Sequence, residues 1–278
     1  MRNTIFFQPL LNALIFLYNL LGYHPLINAL IFLYNLLGQN LGLAIIGLTV
    51  LIRGALTPLA LPSLKSGQKM KELQPEINKL KEQYGKDKQE FAKKQLELFK
   101  AHGVNPAAGC LPQIIQLVVL IALYQAFNQV LQNNGSVVDN LNKVLYAPLQ
   151  LSQDFVLNTK FLYLNLAQPD LFTIPALKIA GLTLNKLPGI FLILAAVVQF
   201  LSSKLMMPAV KKTAVVAQKT PGQTDDLATS MQTQMLYLFP LMTLFIGFKF
   251  PSGLVLYWLV FSLIMLVQQL LLNNGKKH

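Results

Sequence analysis

Five runs of apolar residues, each near the roughly 20 residues that an α-helix needs to cross about 30 Å of hydrocarbon, constrain this 278-residue chain most strongly. They cover residues 41–64, 109–131, 188–207, 231–249 and 250–272. The last two form one long stretch that Phe250, Pro251, Ser252 and Gly253 divide, because proline and glycine both oppose an uninterrupted helix. With 54% hydrophobic residues, 12% charged residues and a mean hydropathy of +0.48, the bilayer is the expected solvent. The expected fold is an all-α polytopic membrane protein.

The net charge of +12 sets orientation rather than a nucleic-acid partner, since the lysines cluster between the apolar runs. Residues 65–108 hold ten lysines, against four in the longer segment 132–187. The first connection is therefore expected in the cytoplasm. The basic segment 208–230, with Lys211, Lys212 and Lys219, and the tail 273–278, with Lys276 and Lys277, then fall on the same side. Cys110 is the only cysteine, which leaves no internal disulfide and no cysteine metal cluster. His24, His102 and His278 lie far apart, so neither a metal site nor a cofactor is expected.

The N-terminal part carries a tandem repeat: PLLNALIFLYNLLG at residues 9–22 returns as PLINALIFLYNLLG at residues 25–38, with 13 of 14 positions identical. Each copy is short for a span and places its two asparagines seven apart, on one helical face. Residues 1–40 are accordingly expected as interfacial helices, with an additional signal-anchor span as the alternative. Within 65–108, Met70, Leu73, Ile77 and Leu80 recur at helical spacing. A break at Tyr84, Gly85 and Lys86 precedes a second such helix, which together make a cytoplasmic hairpin. The segment 132–187 reads as an outer loop resting on the membrane surface, and 208–230 as a loop.

Arg53 stands near the middle of the first span, where insertion scales assign a central arginine a cost of about 2.5–3.5 kcal/mol. No Asp or Glu occurs in any of the five runs, so a neighbouring span offers no carboxylate partner. Thr49 and Thr57, one turn to either side, extend a polar stripe. Gln113, Gln116, Gln125 and Asn128, then Gln199 and Ser202, Gln234 and Tyr237, and Gln268 supply neutral polar groups from the other spans. Together these residues are expected to line a hydrated intramembrane groove whose fixed positive charge attracts a carboxylate. The competing structural reading has Arg53 snorkelling, or bonding carbonyls freed by Pro58 and Pro62.

LIRGALTPL around Arg53, LQPEINKLKEQYGKDKQEF followed by KAHGVNPAAGCLPQIIQ, and MQTQMLYLFP running into FPSGLVLYW resemble the YidC insertases and their mitochondrial and chloroplast relatives. The resemblance covers roughly residues 26–272. It implies a five-helix core with a cytoplasmic hairpin and a groove open to cytoplasm and lipid. It also implies an activity that inserts nascent membrane proteins without ATP, alone or beside the Sec translocon, with ribosome contact a further option for the basic tail. Arg53 matches the family's groove arginine, Gln116 and Tyr124 match second-helix positions, Gln199 a third-helix position, and Tyr257 with Trp258 the aromatic pair of the fifth. Many relatives have proline where this chain has Val118. The expectation is a multi-pass protein of the bacterial plasma membrane, acting as a monomer with membrane lipids and nascent chains as partners, its C-terminus cytoplasmic. No catalytic residue is assigned. The first rival, a small-solute carrier or anion channel, lacks the mid-membrane acids common in coupled carriers. The second, an intramembrane protease, lacks HExxH and GxSxG.

Overall fold

A computed structural model describes residues 23–85, 87–104, 111–131, 137–179, 182–206 and 227–274. The first repeat copy, Cys110, Lys276, Lys277, His278 and most of 208–230 lie outside the described residues. The described chain is mostly helical. Two stretches, Leu41–Pro58 and Ser252–Leu272, are long and apolar enough to cross a membrane. Four shorter apolar helices, His24–Leu36, Gln116–Asn128, Ile190–Leu205 and Leu236–Gly247, accompany them.

Helix α1 (Tyr23–Leu36) holds the second repeat copy. It ends in a tight turn through Gly38 and Gln39, at φ +68° and +58°, where Gln39 N donates to Tyr34 O at 2.8 Å. Asn40 then caps α2 (Leu41–Glu72), its side chain accepting from Leu43 N at 3.0 Å. Helix α2 runs through Pro58 and Pro62 and continues past the first apolar run by about two turns. Lys71 Nζ, on that extension, donates to Leu205 O at 3.3 Å.

Helices α3 (Gln74–Tyr84) and α4 (Lys88–Ala101) follow, with Asp87 capping α4 by accepting from Gln89 N and Glu90 N. Their facing sides bury Leu73, Ile77 and Phe99 together with Val104. Helix α4 closes in a Schellman turn: Gly103 sits at φ +61°, and its N and Val104 N donate to Lys100 O and Phe99 O.

Helix α5 (Leu111–Leu131) precedes a segment that is partly strand-forming. Within the segment read as a loop, after α6 (Val137–Asn142), strands β1 (Lys160–Phe161) and β2 (Leu164–Asn165) pair antiparallel, as do β3 (Leu171–Ile179) and β4 (Leu182–Pro188), which adds two short hairpins to the all-α expectation. The short alternating runs LFTIPALKI and LTLNKLP read as scattered apolar residues because proline interrupts one and lysines interleave both. Helices α7 (Ile190–Met206), α8 (Leu227–Gly247) and α9 (Ser252–Asn274) complete the chain.

Helix α9 is central, packing on α7, α2 and α5, while α8 packs mainly on α7. The main core joins Leu26, Leu30 and Tyr34 of α1 to Ile45, Leu48 and Ile52 of α2, Leu123 and Phe127 of α5, and Leu254 and Tyr257 of α9. Asn28 fastens α1 to the segment after α6, donating to Val144 O at 2.8 Å and accepting from Tyr146 N at 2.7 Å. A second tie lies at the starts of α7 and α9. Gly253 N donates to Leu166 O, Ser252 N to Gln168 O, and buried Asp170 accepts from Leu192 N and from the Tyr163 hydroxyl. The Tyr163 oxygen in turn accepts from Ile190 N at 3.0 Å. A Cβ at Gly42 would overlap the Phe161 ring, and one at Gly189 the Asp170 carboxylate, so both glycines permit this close packing. On the opposite side of α7, Ile190, Ile193, Leu194, Val197 and Leu201 form an exposed apolar stripe suited to lipid.

Candidate functional site: a buried arginine

Pro58 removes a backbone donor from α2, and Thr57 beside it turns its hydroxyl inward to donate to Arg53 O at 2.6 Å. Thr49 does the same with Ile45 O at 2.6 Å. Both threonine hydroxyls therefore have their one proton engaged by α2's own backbone rather than offered to the Arg53 side chain.

Arg53 itself is 4% exposed. Its guanidinium carbon lies 4.3 Å from the centroid of the Phe261 ring, a cation–π arrangement with α9. Nε and Nη2 are buried and have no hydrogen-bond partner. These two nitrogens form one edge of the planar guanidinium, the pair of parallel N–H groups that takes a carboxylate in bidentate fashion. Among the described residues Arg53 makes no ion pair, whereas in the hairpin Lys94 pairs with Glu90 and Glu97. There, hydrogen bonding and charge from Lys94 hold the Glu97 carboxyl below its ordinary range.

Tyr257 completes one wall. It is buried, lies near enough to Arg53 for electrostatic coupling, and exchanges its hydroxyl hydrogen bond with the Gln116 amide, 3.3 Å from Oε1 and 3.2 Å from Nε2. A further polar step comes from α9, where Gln268 Nε2 donates to Thr57 Oγ1 at 2.8 Å. Arg53, Thr57, Gln116 and Tyr257 are thus brought together, along with Phe261 and Gln268.

Other candidates stand apart. Gln199 is half-buried and accepts from Thr243 of α8, forming a separate α7–α8 pair. Tyr124, 37% exposed, packs edge-on against Phe250, with centroids 5.0 Å apart. Tyr237, 55% exposed, lies against Phe200. Trp258 is half-buried. The side chains of Gln113 and Gln234 lie outside the described residues, although their backbones are helical. Sequence reasoning passed over Phe261, which only the α2–α9 pairing singles out among the chain's phenylalanines.

The physical character of the site is a low-dielectric enclosure with one fixed cation and an open bidentate edge. Such an edge has the geometry to take a carboxylate or another planar oxyanion, and among the described residues no group of three or more His, Cys, Asp or Glu could hold a metal ion.

Comparison with known proteins agrees with this setting. The sequence model of the family described as 60Kd inner membrane protein matches residues 32–278. A membrane protein insertase YidC of Fusobacterium nucleatum is 34% identical over 230 residues, covering 83% of this chain and 84% of that protein. Membrane protein insertase YidC 1 of Streptococcus pyogenes is 36% identical over 243 residues, covering 86% and 68%. Membrane protein insertase MisCA of Bacillus subtilis is 32% identical over 240 residues, covering 85% and 71%.

Proposed function

Because the chain belongs to the 60Kd inner membrane protein family, the family of the YidC insertases, we propose that it is a membrane protein insertase whose cation, Arg53, receives an acidic group of the client. Nascent membrane proteins and lipids are its partners, and the cell membrane is its place of action. The finer assignments belong to the same reading. Five helices, α2, α5, α7, α8 and α9, cross the bilayer; α3 and α4 form a cytoplasmic hairpin, and α1 lies along the outer interface. The lysine distribution supports a cytoplasmic C-terminus.

The observation that carries the mechanism is the unpartnered Nε–Nη2 edge of a guanidinium buried within the bundle. At about 4 Å and an effective dielectric constant near 20, a carboxylate gains roughly 4 kcal/mol from such a charge. The outer tail of a client segment is held there while its apolar part moves out into lipid. Burial of that part at about 25 cal/mol per Å² then completes transfer without nucleotide hydrolysis. Gln116, Tyr257 and Thr57 wet the site, whereas Tyr124, Tyr237 and Trp258 present aromatic surface along the client's path. The names of the relatives favour this reading over a carrier or anion channel.

Replacement of Arg53 tests it. In proteoliposomes, Arg53→Ala is expected to abolish insertion of a single-span client with an acidic outer tail, and Arg53→Lys to retain most of it. Full activity of the alanine variant at normal levels would remove the charge from the mechanism.

A further inference from the structure

Thr57 has a single hydroxyl proton, and it lies on the bond to Arg53 O. Its oxygen is therefore an acceptor toward Gln268, which fixes the orientation of that amide: Nε2 faces Thr57 and Oε1 faces away. Oε1 is buried and has no hydrogen-bond partner. A buried acceptor in this state costs on the order of 1–3 kcal/mol, so it is complementary to an incoming N–H. Its partner Thr57 stands one turn beyond Arg53 along α2, toward the hairpin.

Resting on the insertase reading, we propose that Arg53 and Gln268 form a two-point site for the beginning of a client's membrane segment. Arg53 takes an acidic side chain, and Gln268 Oε1 takes an unpaired backbone N–H that follows it. The start of a helix is the part of a chain that supplies both, because its first N–H groups lack intrahelical partners and acidic residues are favoured there. Thr57 links the two groups across neighbouring turns of α2, which suits an acid and an N–H that are close together in the client's sequence. The preferred client thus carries its acid beside the start of its apolar segment. Gln268 acts here as a specificity-determining residue, while Arg53 supplies the attraction.

The test compares two single-span clients that differ only in the acid's position, next to the apolar segment or about eight residues before it. Wild-type protein is expected to insert the near-acid client better. Gln268→Leu is expected to lower near-acid insertion about three- to tenfold, the value of one hydrogen bond to a buried acceptor, and to lower far-acid insertion distinctly less. Gln268→Met, unbranched, carries the same test should the leucine variant fail to accumulate. Equal loss for both clients would reduce Gln268 to a structural tie, and no loss for either would remove it from client recognition. Either result overturns this proposal while the Arg53→Ala outcome still judges the insertase mechanism independently.

Discussion

Replacing Arg53 with methionine should make the protein more stable and less active. The guanidinium is 4% exposed, lacks a carboxylate partner among the described residues, and leaves Nε and Nη2 unbonded. Burying a cation costs several kcal/mol after relaxation, and each unmet buried donor about 1–3 kcal/mol. Against this, the Phe261 face 4.3 Å away returns about 2 kcal/mol when desolvated. Methionine fills similar space and keeps a sulfur–aromatic contact worth roughly 0.3–1.5 kcal/mol. The balance favours Arg53→Met, by at least the roughly 1–4 kcal/mol found when buried ion pairs are replaced by apolar groups. Thermal unfolding in lipid nanodiscs of fixed composition reads this as a higher midpoint, while insertion of an acidic-tailed client falls. A soluble peptide bearing the acidic segment should raise the wild-type midpoint and leave that of the methionine variant unmoved. A lower midpoint for Arg53→Met would show that the guanidinium holds the bundle together, and the argument for a charge reserved for cargo would fail.

Two further outcomes follow from α1. Asn28→Ala leaves Val144 O and Tyr146 N without their partner and should destabilise the attachment of α1 by about 2–4 kcal/mol, seen as faster amide exchange across residues 141–158. Deletion of residues 23–38 joins Gly22 to Gln39 and brings Leu10, Asn12, Leu14, Ile15 and Tyr18 to the places of Leu26, Asn28, Leu30, Ile31 and Tyr34. Since Leu11 for Ile27 is the one change within the repeat, stability should remain within about 1.5 kcal/mol of the parent; loss of folded protein would show that the copies are not interchangeable.

The membrane character, the position of Arg53 and the break before α9 are legible in the sequence because each is local. A run of apolar residues, a cation within it and a Pro-Ser-Gly interruption need no knowledge of neighbouring helices. Periodicity also places Thr49, Arg53 and Thr57 along one side of α2, but it does not say what lies across from them. Phe261 and Gln268 meet that side only because α9 packs on α2 in a particular register. For the same reason Gln199 faces Thr243 rather than Arg53, and Tyr124 meets Phe250. The paired strands between α6 and α7 are not legible because Pro175, Lys178 and Lys186 mask their alternation.

The fastening at the starts of α7 and α9 bears on where an anionic segment comes to rest. A helix beginning ordinarily concentrates about half a positive charge on its free N–H groups and so attracts anions. Here Asp170 and the Tyr163 oxygen occupy those of α7, while Leu166 O and Gln168 O occupy those of α9. On the proposed insertase reading, an acidic tail that passes these quenched helix starts meets no free helix-end charge at either, which favours its release over its capture.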